Sequence, residues 1–267
     1  MNIIILTGNE TRHKYFRLYI SNQKNINVIS SYCENTEKSL ENRTKNNPNS
    51  SKLENLHVEA RTQSENDFFA ESIRYLPDLS NPKFIKKGKI NNIEIVSEII
   101  SKNADLLICY GSSLIKSDLL RAYKGKFMNV HLGLSPYYRG SGTNIWPLIN
   151  GEPEKIGATF MHIDEGIDTG EIIHQIIAEF YIGDSPHSIG NRLIKNMTKV
   201  YAELIQKFNK LESMNQPDSN GLFYMQKDFN EEACRKLYDQ INKGLIENYI
   251  NSIKPSINII TNPGIKK

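Results

Sequence analysis

The sequence predicts an α/β protein built on a mostly parallel sheet with flanking helices. Three observations carry this. Unbroken apolar runs recur at 3–6 ("IIIL"), 104–111 ("ADLLICYG") and 126–133 ("KFMNVHLG"), as strands buried on both faces of a parallel sheet require. Stretches with helical spacing alternate with them, the pattern of a βαβ sheet. A chain of 267 residues suits one α/β domain with embellishments and is ample for a packed core.

The elements follow in order. Ile3 to Leu6 is the first strand, Thr7-Gly8-Asn9 its turn, and Phe16, Tyr19 and Ile20 recur on the helix that follows. "INVISSY" at 26–32 is a second strand. Over 34–52 apolar residues nearly vanish, so this stretch is expected to be a loop, partly disordered or a mobile flap. Residues 53–76 read as a helix on which His57, Arg61, Glu65 and Phe69 stack along one face. Two readings fit that stripe: an exposed face laced by i,i+4 pairs, or a polar row turned to a ligand. "NIEIVSEIISKN" at 92–103 is an amphipathic helix, and "NIWPLING" at 144–151 a short one ended by Gly151. "IGATFMHID" (156–164) and "EIIHQIIAEF" (171–180) are strands joined by the loop Asp164 to Gly170, the first alternating as an antiparallel edge strand does. Asp184 or Ser185 caps a long helix with Pro186 in its first turn, and a final helix runs from about Asn230 to Ile250.

Composition narrows the function classes. Thirty-three Lys+Arg against thirty Asp+Glu leave a formal charge of +3, and the short basic run "KFIKKGK" at 83–89 reads as solvated surface, so no nucleic-acid partner is expected. Cys33, Cys109 and Cys234 are far apart and form no CxxC, which supports neither a zinc site nor a disulfide framework; no metal is expected. Cys109 reads as a small core residue. The sequence shows no leader-like pattern and no apolar stretch of membrane-spanning length, so a cytoplasmic location and no membrane partner are expected.

In an open α/β sheet, ligands bind beyond the carboxyl ends of the strands. The candidate loops are Thr7–Arg12, Tyr110–Ile115, His131–Asn144 and Asp164–Gly170. Asn129 and His131 are two apart and share one face of a strand, where Asp168 from a neighbouring loop could meet them. Such a trio has no good nucleophile, and the chain has no GxSxG or HExxH. It can move a proton and stabilise an oxyanion, which suits attack of an amine on an acyl carbonyl. Ordinary roles at a strand end and in a turn fit these residues equally well on composition alone.

The ordered pattern Asn129-x-His131, Pro136, "YRG" at 138–140 and "DEGIDTG" at 164–170 resembles the folate-dependent formyltransferase family. That family includes glycinamide ribonucleotide, methionyl-tRNA and sugar-nucleotide amine formyltransferases. The resemblance spans roughly 90–210, with "ADLLICYGSSLI" similar to the strand and loop that hold the folate. It implies a Rossmann-like formyltransferase fold, with a catalytic domain at 1–215 that carries an insertion at 34–76, and a helical C-terminal extension at 216–267. It implies Asn129, His131 and Asp168 as catalytic residues and N10-formyltetrahydrofolate as formyl donor. The donor would be held by Gly111, Ser112, Ser113, Leu114, Ile115, Asp164, Glu165, Gly166 and Ile167.

The stretch "GSGTNIW" and "IDEGIDTGEI" look most like the sugar amine enzymes, which implies a nucleotide-linked amino sugar as acceptor. Asn9, Arg12, His57, Arg61, Glu65 and Trp146 are then expected at the acceptor. Trp146 and Tyr137 also suit a role as core or lid aromatics. Other acceptors (a purine precursor or methionyl-tRNA) and a non-catalytic folate-binding relative stay open, as does a homodimer.

Overall fold

Ile3, Ile4, Ile5 and Leu6 are all fully buried, because their strand runs through the middle of a sheet covered on both faces. The computed structural model describes residues 1–253 and 255–265. The first half of the chain forms β1 (Asn2–Thr7), α1 (Thr11–Ser21), β2 (Asn27–Glu34), α2 (Leu40–Lys45), α3 (Lys52–Tyr75), β3 (Pro82–Ile85), α4 (Ile93–Ser101), β4 (Leu106–Tyr110) and α5 (Ser117–Ala122). Next come β5 (Phe127–His131), β6 (Tyr138–Gly140), α6 (Trp146–Ile149), β7 (Gly157–His162), β8 (Ile172–Ile177) and α7 (Pro186–Lys207). The C-terminal part adds β9 (Leu222–Tyr224), α8 (Glu231–Asn242) and α9 (Leu245–Asn251).

Seven strands make the main sheet in the order β3-β2-β1-β4-β5-β7-β8. Pairs from β3 to β5 are parallel, while β5–β7 and β7–β8 are antiparallel. The two-residue period of β1 sorts its side chains into two layers. Ile3 and Ile5 pack with Phe16 of α1, Phe69 of α3 and Tyr201 of α7. Ile4 and Leu6 pack with Val96 and Ile99 of α4 and Leu119 of α5. From β1 the chain steps first to β2 on one side and later to β4 on the other. Their carboxyl ends therefore flank a crevice, the usual ligand site of such sheets.

Several expectations need correction. Residues 34–52 are not an open loop: Ser39 caps α2 by accepting from Asn42 N at 3.1 Å, and Asn42 ties back to Thr36 O at 2.7 Å. The Ser and Asn residues that deprive this stretch of a core also supply its turns and caps. The strand at 157–162 is not an edge, since it lies between β5 and β8 and is buried along nearly its whole length. The single helix expected from 230 to 250 is two, broken at Gly244, whose φ of 76° is left-handed. β3 and the small parallel pair β6–β9 were not anticipated.

The C-terminal part lies against the rest of the chain. β9 pairs with β6, and Tyr238 of α8 meets His57 of α3, with its hydroxyl 3.1 Å from Nδ1. Ile260 exchanges bonds with Gln175, covering part of the β8 edge that would otherwise face solvent. Of the expected extension, residues 254, 266 and 267 lie outside the described residues. Among the described residues, no helix is long and apolar enough to cross a membrane.

Candidate active site

β5 delivers Asn129 and His131 to the crevice. Asn129 sits between Cys109 of β4 and Met161 of β7, and His131 opposite Thr159 of β7. The loop between β7 and β8 brings Asp168, whose φ of 55° is a left-handed conformation that Asp tolerates better than most residues. Asp168 Oδ2 accepts a hydrogen bond from Gly140 N at 3.0 Å and lies 3.3 Å from His131 Nδ1. Gln216 donates to the carbonyls of Asp168 (2.8 Å) and Gly170 (2.9 Å), pinning the loop from the far end of the chain.

The hydrogen-bond network fixes the tautomer of His131. Its Nε2 faces the carbonyl of Tyr138 at 3.1 Å and the hydroxyl of Thr143 at 3.2 Å. That hydroxyl donates to Leu132 O at 2.7 Å, so towards the ring it can only accept. Nε2 therefore carries a proton. Nδ1 is left facing the Asp168 carboxylate. The arrangement sets a ring nitrogen and a carboxylate side by side at the crevice.

Two cavities meet at these residues. The larger, about 490 Å³, is walled by the turn after β1, the end of β4, α2, α3 and the start of α7. The smaller, about 230 Å³, is walled by residues 112–115 and by the β7–β8 loop. Ser112, Asn129 and Asp168 line both. Leu114 and Ile167 border the smaller cavity while 52% and 47% exposed, leaving apolar surface for a flat ring to cover.

The larger cavity is lined by charged side chains of both signs. Arg12 bridges Glu65 (2.6 Å) and Glu10, and Arg61 lies 3.4 Å from Glu65 and 3.6 Å from Glu10. Burial pushes the Glu10 carboxyl up, but the Arg12 charge and its neighbours outweigh this and hold it at about 2. His57 and His187 pack with ring centroids 4.7 Å apart and their planes tilted by 59°. Burial lowers both, His57 to about 3 with His187 adding to the effect, and His187 to about 4 with Arg61 adding to it, so both rings are neutral. Nε2 of His187 is buried and has no hydrogen-bond partner.

The structure distributes the expected residues as follows. Asn9, Arg12, His57, Arg61 and Glu65 line the larger cavity, so the polar stripe of α3 faces inwards; Phe69 instead stacks on Tyr15 in the core. Ser112, Ser113, Leu114, Ile115, Asp164, Gly166 and Ile167 line the smaller cavity, while Gly111 lines the larger and Glu165 is exposed and lines neither. Trp146 is set apart from both cavities: it is buried and stacks on Tyr224 with centroids 3.9 Å apart. The sequence reading did not single out Thr143, the Tyr138 carbonyl, the Gly140 N–H or Gln216. The "YRG" motif marked two of these positions, but backbone groups leave no trace in side-chain chemistry. Among the described residues, no group of three or more His, Cys, Asp or Glu is placed to hold a metal ion.

The sequence profile described as Formyl transferase matches residues 1–205, and the chain belongs to that family. It is similar to a methionyl-tRNA formyltransferase of Desulforamulus reducens, with 32% identity over 117 residues, 44% of this chain and only 36% of that protein. Among solved structures it is similar to a 4-N formyltransferase from Francisella tularensis (TM-score 0.56, 23% identity, 85% of this chain and 77% of that one). It also resembles the N-formyltransferase from Helicobacter canadensis in complex with folinic acid and dTDP-3-aminofucose (TM-score 0.54, 19% identity, 97% of this chain and 85% of that one). At these identities the two structures establish a common fold.

Proposed function

We propose that the chain transfers a formyl group from N10-formyltetrahydrofolate to the primary amine of a small acceptor, a nucleotide-linked amino sugar. One observation carries this reading: two cavities of different chemistry share Asn129 and Asp168 as a common wall. The smaller, apolar-mouthed cavity suits a flat heterocycle read by loop backbone groups, and the larger polar one suits a hydroxyl-rich, charged acceptor.

The donor supplies an activated acyl carbon on a nitrogen leaving group. Residues 112–115, Asp164, Gly166 and Ile167 would hold it. Asn129 offers an amide N–H to the carbonyl oxygen as negative charge grows there. With Nε2 of His131 engaged by the wall, only an Nδ1–H of that ring can add a second hydrogen bond. The His131–Asp168 pair takes the proton that the attacking amine loses as its bond to carbon forms, and returns one to the nitrogen whose bond to carbon breaks. The products are a formamide and the deformylated folate, with no redox change.

The Desulforamulus relative, named for methionyl-tRNA, supports a second acceptor. A panel decides: nucleotide-linked amino sugars, a phosphoribosyl amine and methionyl-tRNA, each incubated with N10-formyltetrahydrofolate and read by mass gain of one formyl group. Formylation of an amino sugar is expected. Formylation of methionyl-tRNA alone would replace the acceptor assignment, and no formylation of any amine would overturn the reaction.

A further inference from the structure

Five cationic side chains line the larger cavity: Arg12, Lys38, Arg43, Arg61 and Lys87. Three of them are matched by carboxylates in the same wall. Arg12 and Arg61 are shared by Glu10 and Glu65, and Lys87 lies 3.0 Å from Glu34. Their charge is already balanced within the wall, so they offer an incoming anion little net attraction. The turn that opens α1 is no better, because Glu10 is its N-cap residue and puts a negative charge there.

Lys38 and Arg43 differ. Both come from the segment around α2, and neither makes an ion pair among the described residues. Nε of Arg43 is buried without any hydrogen-bond partner, although its side chain belongs to the cavity wall. A guanidinium N–H kept from water and left unpaired is costly unless a ligand completes it, while the rest of the partly exposed Arg43 group stays accessible. Its planar fork matches the oxygens of a phosphate. Lys45, two residues beyond Arg43 on the same helix, shows the contrast: it pairs with Glu41 at 2.6 Å and does not line the cavity.

We infer that Arg43, assisted by Lys38, binds the diphosphate of the acceptor and so determines its class, whereas Arg12 and Arg61 shape the wall. This rests on the reading of the acceptor as a nucleotide-linked amino sugar. The segment that sequence composition marked as a loose flap is then part of the acceptor site.

The test is calorimetric binding of UDP, dTDP and inorganic pyrophosphate to the full chain and to Arg43→Ala, Arg43→Lys and Lys45→Ala. The wild type is expected to bind a nucleoside diphosphate. Arg43→Ala should weaken that binding roughly tenfold or more, as loss of a charge-assisted contact does, and Arg43→Lys should restore part of it. Lys45→Ala, which removes a charge from the same helix, should change it little. Pyrophosphate binding that shows the same loss places the contact on the diphosphate rather than the nucleoside. Equal binding by wild type and Arg43→Ala would overturn the role of Arg43 and leave the acceptor reading standing. Binding of none of these probes by the wild type would overturn both. Unchanged thermal unfolding of Arg43→Ala is expected and separates a lost contact from a lost fold.

Discussion

At the scale of single residues, the site depends on groups that hold other groups. Gly140 has a φ of 92°, and a Cβ there would run into the Tyr224 carbonyl, while its N–H holds Asp168. Gly140→Ala is therefore expected to lower stability by more than roughly 1 kcal/mol and to reduce turnover together with it, read by thermal unfolding and initial rates. Thr143→Val removes an oxygen that faces His131 Nε2. It should lower kcat several-fold and, because Leu132 O also loses its donor, lower stability by about 1–3 kcal/mol, whereas Thr143→Ser should keep both; an unchanged kcat in Thr143→Val would show that the ring does not depend on Thr143. The neutral histidines make a prediction about stability. His57 and His187 are held at about 3 and about 4 against 6.5 for a free imidazole, so the unfolded chain binds protons first. Their contribution is complete above pH 6.5 and is lost as pH falls towards 4 and then 3, by at most about 1.4 kcal/mol per pH unit for each. Glu10, at about 2 against 4.5, adds a further loss below pH 4.5. His187→Gln, which cannot take the proton, should flatten the acid limb between pH 6.5 and 4. Melting curves across that range check it.

At the scale of elements, the site is made by four loops at strand ends and by α2, α3 and the start of α7. The loop after β4 and the loop between β7 and β8 should respond together to a reduced folate. Hydrogen exchange at 111–115 and 164–170 is expected to slow in both on adding tetrahydrofolate, whereas protection of neither would remove the smaller cavity from the account. The main strands were legible because burial on both faces writes a continuous apolar run. β3 and β9 were not, since short exposed strands such as β3, with Phe84 55% exposed, carry no such run. α2 was hidden by its composition, because capping by Ser39 leaves the same Ser- and Asn-rich record as disorder. The polar stripe of α3 was visible as a spacing, but only the packing of α1 against it turned it towards a cavity. Asn129, His131 and Asp168 could be picked out because a motif resemblance named them. The hydrogen bonds that hold them come from backbone groups and from Gln216, 48 residues beyond Asp168, and pairwise spacing does not reveal those.

At the scale of the whole molecule, we propose that residues 1–215 and 216–267 act as one folding unit despite their different origins in the sequence. β9 on β6, Tyr238 on His57 and Ile260 on Gln175 tie the second to the first. Chemical denaturation followed by Trp146 fluorescence and by far-ultraviolet dichroism should give one coincident transition; two separated transitions would assign the extension its own stability. The central claim is that a formyl group crosses from one cavity to the other past the His131–Asp168 pair. The most direct measurement is a single turnover with carbon-labelled formyl donor and the acceptor found in the panel, comparing wild type with Asp168→Asn. The account predicts that label moves onto the acceptor amine in the wild type. It also predicts that transfer in the variant slows ~10²–10⁴-fold while both ligands still bind. Transfer at the wild-type rate by Asp168→Asn would contradict it.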